Sequence, residues 1–380
     1  MTCSVLFAIP ALDKGGPDRV FYELLRTIDR TRFAPALVTA ESTGHYLSRL
    51  PDDVAVHHLG RETGTASRYP VLPLARLVWR LRPDVVLATL RMGMTAGLAR
   101  PLFPRGTRLI VRPANYLTSN HRELIRDAPL WHRLSFALNR FALTRADHLI
   151  CQGEDLAGDL AAAGIETPTS VIGNPIDVDE VDRLASDSVT LPGSPALLAV
   201  GRLTRQKGLD LLVPAFAKLS ETWPEAHLTI VGTGPDEAAL RRQRDDLGLR
   251  ERVTFRGFVE NPHPLMRAAD LYVLPSRYEG FPNVALEALA CGTPVVAAAC
   301  PGVAGLVLPG VNGWLAPKED VAGLAQTLLL AVRTRGQLTA DVIRDSVRAR
   351  FATALIAQRY EQAISDCAVR DPIPRADRRR

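Results

Sequence analysis

Leu271-Tyr-Val-Leu274-Pro275-Ser276-Arg-Tyr-Glu279-Gly280-Phe281-Pro282-Asn283-Val284-Ala-Leu-Glu287-Ala-Leu-Ala290-Cys-Gly292-Thr-Pro294-Val295-Val-Ala-Ala298 is the stretch that decides the fold. The apolar run Leu271–Leu274 suits a buried strand, and Pro275-Ser276 ends it. Gly280 and Pro282 break the chain again, with Pro282 near the first helical position, where a missing N–H costs little. Asn283–Ala290 can wind as a helix that Gly292 and Pro294 stop, and Val295–Ala298 is apolar once more. Strand, loop, helix, strand is the building unit of a parallel sheet covered by helices. Glu279 falls on the loop at the helix mouth and Glu287 about one turn inside, so the two carboxylates do not share a helical face.

The same grammar extends outward in both directions. In the first half, strands are expected at Val5–Ile9, Ala36–Thr39, Val54–His57, Val85–Ala88, Leu109–Val111, His148–Cys151 and Ser170–Ile172. A Pro/Asp/Ser-rich stretch near Asp182–Pro195 suits a linker, and strands restart at Leu197–Val200, His227–Val231, Val253–Phe255, Leu271–Leu274 and Val295–Ala298. No sequence repeat joins the halves. Two α/β domains follow, 1–185 and 186–350, with a helix over 351–370 and a basic tail over 371–380. In such sheets ligands bind beyond the carboxyl ends of the strands, and a cleft between two domains is the natural site.

Composition narrows the classes. The chain has 380 residues, 47% of them hydrophobic, enough for two ordinary cores. Five scattered cysteines, without a CxxC or a Cys/His cluster, suggest neither a disulfide framework nor a zinc site, and fit a reducing compartment. The start, Met1-Thr-Cys-Ser-Val-Leu-Phe-Ala-Ile-Pro10, lacks a basic leader and reads as a first strand. Residues 288–317 carry no charge, but repeated Gly and Pro argue against a membrane span. Net charge is +5, while Arg61–Arg145 holds fifteen arginines against four acids. That band suits either an Arg-rich solvated surface or a face for anionic partners, phospholipid headgroups or a phosphate-bearing acceptor. Within it, Leu74, Leu77, Val78 and Leu81 recur at helical spacing between Pro73 and Pro83, beside Arg76, Arg80 and Arg82.

Several loops could hold an anion. Free amides and the positive helix end between Glu279 and Glu287 form one cradle. Asp13-Lys-Gly15-Gly16-Pro-Asp-Arg19 opens a helix at Val20–Ile28, and its two glycines allow close backbone approach. Gly201-Arg202-Leu-Thr-Arg-Gln-Lys207-Gly208 sets two cations after a buried strand, an arrangement suited to a diphosphate, though loop cations are also commonly just solvated. Val231-Gly232-Thr-Gly234-Pro235 is neither a GxGxxG nor a P-loop, which argues against a dinucleotide oxidoreductase and a Walker-type ATPase. Carboxylate, anion cradle and second carboxylate together suit a ligand with phosphate in the middle and hydroxyls at both ends, the shape of a nucleotide-sugar.

Taken in order, these residues resemble the retaining glycosyltransferases of family 4, which have the two-domain GT-B fold. The likeness runs over nearly the whole chain, from Gly15-Gly16 through Val171-Ile-Gly-Asn174-Pro175-Ile-Asp177, Val200-Gly-Arg202 to Gly208, Val231–Pro235, Arg256-Gly-Phe258 and Asp270–Ser276 to Glu279–Glu287. The resemblance implies an α/β fold of two Rossmann-like doubly wound domains facing an interdomain cleft. It implies that Arg202 and Lys207 hold the donor diphosphate, helped by the Gly15/Gly16 backbone and by Gly280, Phe281, Pro282, Asn283 and Val284. Glu287 would accept from the ribose, Glu279 would bind hydroxyls of the transferred sugar, and Arg256, Phe258 and Gly232 would border the base. The family's reaction retains anomeric configuration by front-face attack, with the leaving diphosphate helping to take the acceptor proton, and uses no metal or other cofactor. Asp177-Val-Asp179 is read as linker and not as a metal site.

On the acceptor side, Arg112, Asn115 and His121 are candidates, and His121 is equally suited to be a surface histidine. Where relatives carry an acidic residue after the Pro-Val-Val-Ala strand, this chain has Gly302-Val-Ala-Gly305. The resulting expectation is a cytoplasmic hexosyl or N-acetylhexosaminyl transferase that favours a UDP-sugar donor. Its acceptor is expected to be a lipid-linked saccharide or surface-polysaccharide precursor, and its partners to include an anionic membrane surface at the inner face of the plasma membrane but no nucleic acid. The alternatives are a soluble small-molecule acceptor and, from another class, a catalytically silent sugar-binding protein. The Arg348–Cys367 stretch reads as one helix that returns to the first domain.

Overall fold

The computed structural model describes residues 2–13, 15–60, 69–114, 116–118 and 129–369, with side chains in the last range from 134 onward. The chain divides into two compact units, one ending at Pro175 and resuming at Thr353, the other spanning Ile176–Ala352.

The first unit runs β1 (Cys3–Ile9), α1 (Gly16–Thr27), β2 (Phe33–Thr39), β3 (Ala55–His58), α2 (Val71–Leu81), β4 (Val85–Thr89), α3 (Leu90–Ala99), β5 (Arg108–Arg112), α4 (Pro129–Thr144), β6 (His148–Cys151), α5 (Glu154–Ala162) and β7 (Thr169–Val171). Its strands form one parallel sheet in the order β3-β2-β1-β4-β5-β6-β7. Alternation along β1 divides the core. Leu6 and Ala8 face α2, α3 and α4, while Val5, Phe7 and Ile9 face α1. The helix Thr353–Val369 completes that second face with Ile356, Tyr360 and Ile364.

The second unit runs α6 (Val178–Leu184), β8 (Ala196–Val200), α7 (Leu209–Thr222), β9 (His227–Val231), α8 (Glu237–Asp246), β10 (Val253–Phe255), α9 (His263–Ala268), β11 (Leu271–Leu274), α10 (Asn283–Ala290), β12 (Val295–Ala298), β13 (Gly313–Ala316), α11 (Val321–Thr334) and α12 (Ala340–Phe351), and the returning helix Thr353–Val369 is α13. The sheet order is β10-β9-β8-β11-β12-β13, again all parallel. Counted from its own first strand, this is the arrangement of the first sheet without its seventh strand. Strand order reverses between β8 and β11, and a crevice opens beyond the carboxyl ends of strands at such a point.

Two sequence expectations change. The division falls at Pro175/Ile176 and not at 185/186, because the expected linker begins inside α6. Asp177 caps that helix by accepting from the Glu180 amide at 3.0 Å, and Val178, Val181 and Ala185 lie in the core of the second unit. The single helix expected over Arg348–Cys367 is two, α12 and α13, broken at Ala352. There the Phe351 carbonyl accepts from the Ile176 amide at 2.8 Å, and Ala352 pairs with Ile176 as a short parallel bridge. The helix expected between Pro73 and Pro83 is present as α2, with Leu74, Leu77 and Val78 in the core.

Candidate active site

The switch point of the second sheet gathers three loops. After β8 the chain turns through Gly201–Gly208, and after β11 through Pro275–Pro282. Their contact demands Gly208, whose φ is +65° and where a Cβ would run into the Pro275 carbonyl oxygen. The loops are then zipped together: the Arg277 amide donates to the Gln206 carbonyl at 2.8 Å, and Gln206 Nε2 donates to the Tyr278 carbonyl at 3.1 Å. The buried Arg277 guanidinium forks onto both oxygens of Asp210 at 2.7 Å, and donates also to the Arg205 carbonyl at 2.7 Å and to Glu319 at 3.1 Å. Burial opposes ionisation of Asp210, but the Arg277 hydrogen bonds and charge outweigh it and hold the carboxyl below its usual range.

This clamp sets Lys207 against Glu279. Lys207 Nζ donates to Glu279 Oε1 at 2.7 Å, and Ser276 Oγ donates to the same oxygen at 2.6 Å. Ser276 and Glu279 are buried. The two donors offset part of the cost of placing a polar group this deep. From the other side, the Glu279 amide donates to the Pro301 carbonyl at 3.2 Å. Gly302, at φ +87°, lets the following loop lie directly on the Glu279 carbonyl, with no space for a Cβ. Pro301 and Gly302 are therefore the residues that back Glu279.

Arg202 is exposed, and its side chain makes no hydrogen bond or ion pair with the described residues. Glu287 stands one turn into α10, with one carboxylate oxygen 4.0 Å from His263 Nε2. Tyr272 lies within the influence of both glutamates. Its hydroxyl donates to the Val200 carbonyl at 3.0 Å, and burial, more than either glutamate, raises its pKa. At the helix mouth Pro282 is the N-cap, and Gly280, Phe281, Asn283 and Val284 are partly exposed there. The third loop adds Gly232, whose amide donates to the Gly257 carbonyl at 2.7 Å, which brings Arg256 and Phe258 alongside. Both are exposed, Phe258 at 70%.

Lys207, Glu279, Gly232, Arg256, Phe258 and the α10 mouth thus all follow the carboxyl ends of strands of one sheet. Sequence reasoning missed Ser276, Arg277 and His263. Ser276 and Arg277 were visible as polar residues at the end of a buried strand; His263, between two prolines, gave no signal.

The remaining candidates belong to the first unit. Gly15 is the N-cap of α1 and Gly16 its first residue. Asp18 turns its carboxylate back onto this loop and accepts from the backbone at Gly15 and Asp13, so part of the loop's amide capacity is already used. Burial pushes the Asp18 carboxyl up to about 6. Arg112, expected at an acceptor, is buried at the end of β5. It donates to Tyr360 Oη at 3.0 Å and to Asn174 Oδ1 at 2.5 Å, and so ties β5 to α13 and to the end of the unit. Asn115 and His121 lie outside the described residues. Among the described residues, no group of three His, Cys, Asp or Glu side chains is arranged to hold a metal, and no helix is long and apolar enough to cross a membrane.

Two doubly wound parallel-sheet units are the architecture of the GT-B class of glycosyltransferases. The chain belongs to glycosyltransferase family 4: residues 14–180 match the family described as Glycosyltransferase Family 4, and residues 194–333 the one described as Glycosyl transferases group 1. It is 29% identical over 304 residues to the lipopolysaccharide core biosynthesis glycosyltransferase LpsE of Rhizobium meliloti, covering 78% of this chain and 77% of that one. It is 29% identical over 251 residues to a 2-deoxystreptamine glucosyltransferase of Streptomyces kanamyceticus, covering 61% of this chain and 65% of the relative, just under two thirds of its length. The fold is that of Anabaena HepE, solved with UDP, at a TM-score of 0.75 and 22% identity, covering 96% of this chain and all of that one.

Proposed function

We propose that this chain is a retaining, metal-independent glycosyltransferase that moves a hexose or N-acetylhexosamine from a UDP-sugar to a lipid-linked saccharide or surface-polysaccharide precursor. The observation that carries the reading is Lys207 and Ser276 converging on one oxygen of buried Glu279 at the switch point. Only Oε1 is used by these two donors, and Oε2 is the atom assigned to the hydroxyls of the transferred sugar. Exposed Arg202 and the Lys207 ammonium supply positive charge for the departing diphosphate, and fixed charge of this kind stabilises a transition state without reorganisation. The α10 mouth adds helix-end amides for a phosphate, and Glu287 accepts from the ribose. In the transfer, the anomeric carbon–phosphate oxygen bond breaks, the acceptor oxygen bonds the same face, and the acceptor proton passes to the departing phosphate.

HepE, solved with UDP and with UDP-glucose, supports the choice of base, and LpsE supports the class of acceptor. A soluble acceptor is the second reading, favoured by the 2-deoxystreptamine relative. The test is turnover of a UDP-, GDP-, ADP- and TDP-sugar panel with lipid and aqueous extracts as acceptor sources. Release of UDP that needs the lipid fraction, persists in chelator and yields a product of unchanged anomeric configuration supports the first reading. Turnover with the aqueous fraction alone selects the second, and no turnover with any donor overturns both.

A further inference from the structure

Seven of the fifteen exposed large hydrophobic residues among the described ones lie on α2, α4 and the short turn at Leu102, a concentration that single scattered exposures do not explain. Helices α2 and α4 cover the same side of the first sheet. Leu74, Leu77 and Val78 of one and Leu143 of the other share a core with Leu6, Val86 and Leu109, and α3 packs against both helices. Their opposite faces therefore look outward on one side of that unit.

Those outward faces repeat a pattern. On α2 it is Leu72, Arg76, Trp79, at steps of four and three residues; on α4 and just past its end it is Leu134, Leu138, Phe141, Arg145, at steps of four, three and four. Such steps put each set on one helical stripe. Trp79 is 53% and Phe141 43% exposed. Each aromatic ring carries an arginine, Arg82 at 5.9 Å from Trp79 and Arg145 at 4.5 Å from Phe141. Trp79 Nε1 donates to the Leu102 carbonyl at 2.6 Å, which holds exposed Leu102 beside the ring. Neither helix contains an Asp or Glu.

We propose that the outward faces of α2 and α4 form a docking surface for an anionic lipid bilayer. Charge complementarity selects this occupant. The two helices offer cations and no carboxylates, and exposed Arg76, Arg80 and Arg82 stand beside exposed Leu72 and Trp79, the mixture of charge and apolar surface that suits a bilayer interface. A water-facing helix pair would mix both signs of charge. The proposal does not depend on the transfer reaction, since none of these residues belongs to the candidate active site.

The experiment is flotation of the full chain with phosphatidylcholine vesicles, with and without phosphatidylglycerol, at low and high salt. Binding is expected with phosphatidylglycerol at low salt, weakened by high salt and by its omission. The Trp79→Ser/Phe141→Ser pair should abolish it, and each of Arg76→Gln and Arg145→Gln should weaken it about five-fold, the equivalent of ~1 kcal/mol per surface arginine. Circular dichroism melting controls for folding. If the aromatic pair melts early, the arginine substitutions carry the test. No binding to phosphatidylglycerol vesicles at low salt overturns the proposal, as does binding that all four substitutions leave unchanged. A dimer in light scattering that the Trp79/Phe141 pair dissociates, without vesicle binding, also overturns it and assigns the face to a second copy.

Discussion

Lys207 and Ser276, from loops after two different strands, donate to the same oxygen of Glu279, at 2.7 and 2.6 Å. Truncating either partner of the charged pair leaves the other in a poorly solvated place. Lys207→Ala is expected to lower kcat about a hundred- to a thousand-fold, the range for loss of one fixed donor at developing charge. Glu279→Gln should cost a similar amount, and the double variant should lose far less than the product of the two, because they act as a unit. Steady-state kinetics on the four proteins checks this, and strictly multiplicative losses would contradict the coupling.

Arg277 acts by position. It holds Asp210, Glu319 and the Arg205 carbonyl while its own amide is bonded to Gln206. Arg277→Ala is expected to destabilise the protein by roughly 2–3 kcal/mol, as for other broken buried networks, and Arg277→Lys should recover only part because it lacks the fork. Urea unfolding measures both. An unchanged midpoint in Arg277→Ala would show that the clamp contributes nothing.

Gly302 is the position where backbone geometry and the site meet. Gly302→Ala would strain a left-handed residue by roughly 1–3 kcal/mol. The added methyl also meets the Glu279 carbonyl, so activity should fall together with stability. Gly310→Ala has the same handed conformation, at φ +77°, but open space around it. It should cost stability with kcat kept, and equal kcat losses in both variants would remove the argument.

Asp18 makes a pH prediction. Burial raises its carboxyl to about 6 in the folded protein, above its ordinary value of 3.8. A raised folded value means the folded state binds the proton more tightly. This contribution is fully present below the unfolded value and is lost as pH rises through about 6. Asp18→Asn should therefore flatten the pH dependence of melting between about pH 4 and pH 7, where the parent protein loses this stabilisation. An identical dependence in both would place the shift elsewhere.

Strands were legible because parallel strands buried on both faces are continuous Val, Ile and Leu runs, as at Val85–Thr89. Strand β2 was read short, from Ala36, whereas it begins at Phe33 and runs through Pro35. The Cys3 amide donates to the Arg32 carbonyl, which fixes the phase of the β1–β2 ladder and turns the missing Pro35 N–H toward β3. That strand pairs only from Ala36 onward, so no bond is lost. The break at Ala352 was not legible, because its cause is Ile176, far away in sequence. At the candidate site, Glu279 and Lys207 were visible as charges beside Gly280 and Gly208. Arg112 misled, since a guanidinium at a strand end reads the same whether it faces a ligand or Tyr360 and Asn174.

The Ile176–Ala352 bridge joins the first and last residues of the second unit. That unit is thus an insertion, complete as soon as Ala352 is made. The first unit, although begun earlier, lacks the Ile356, Tyr360 and Ile364 side chains of its core until the final helix has left the ribosome. The unit that begins first is thus the one whose residues are completed last. The unit translated second can close first, while its elder waits open on one face, so a chain stopped just after Ala352 would carry a finished second unit and an unfinished first one.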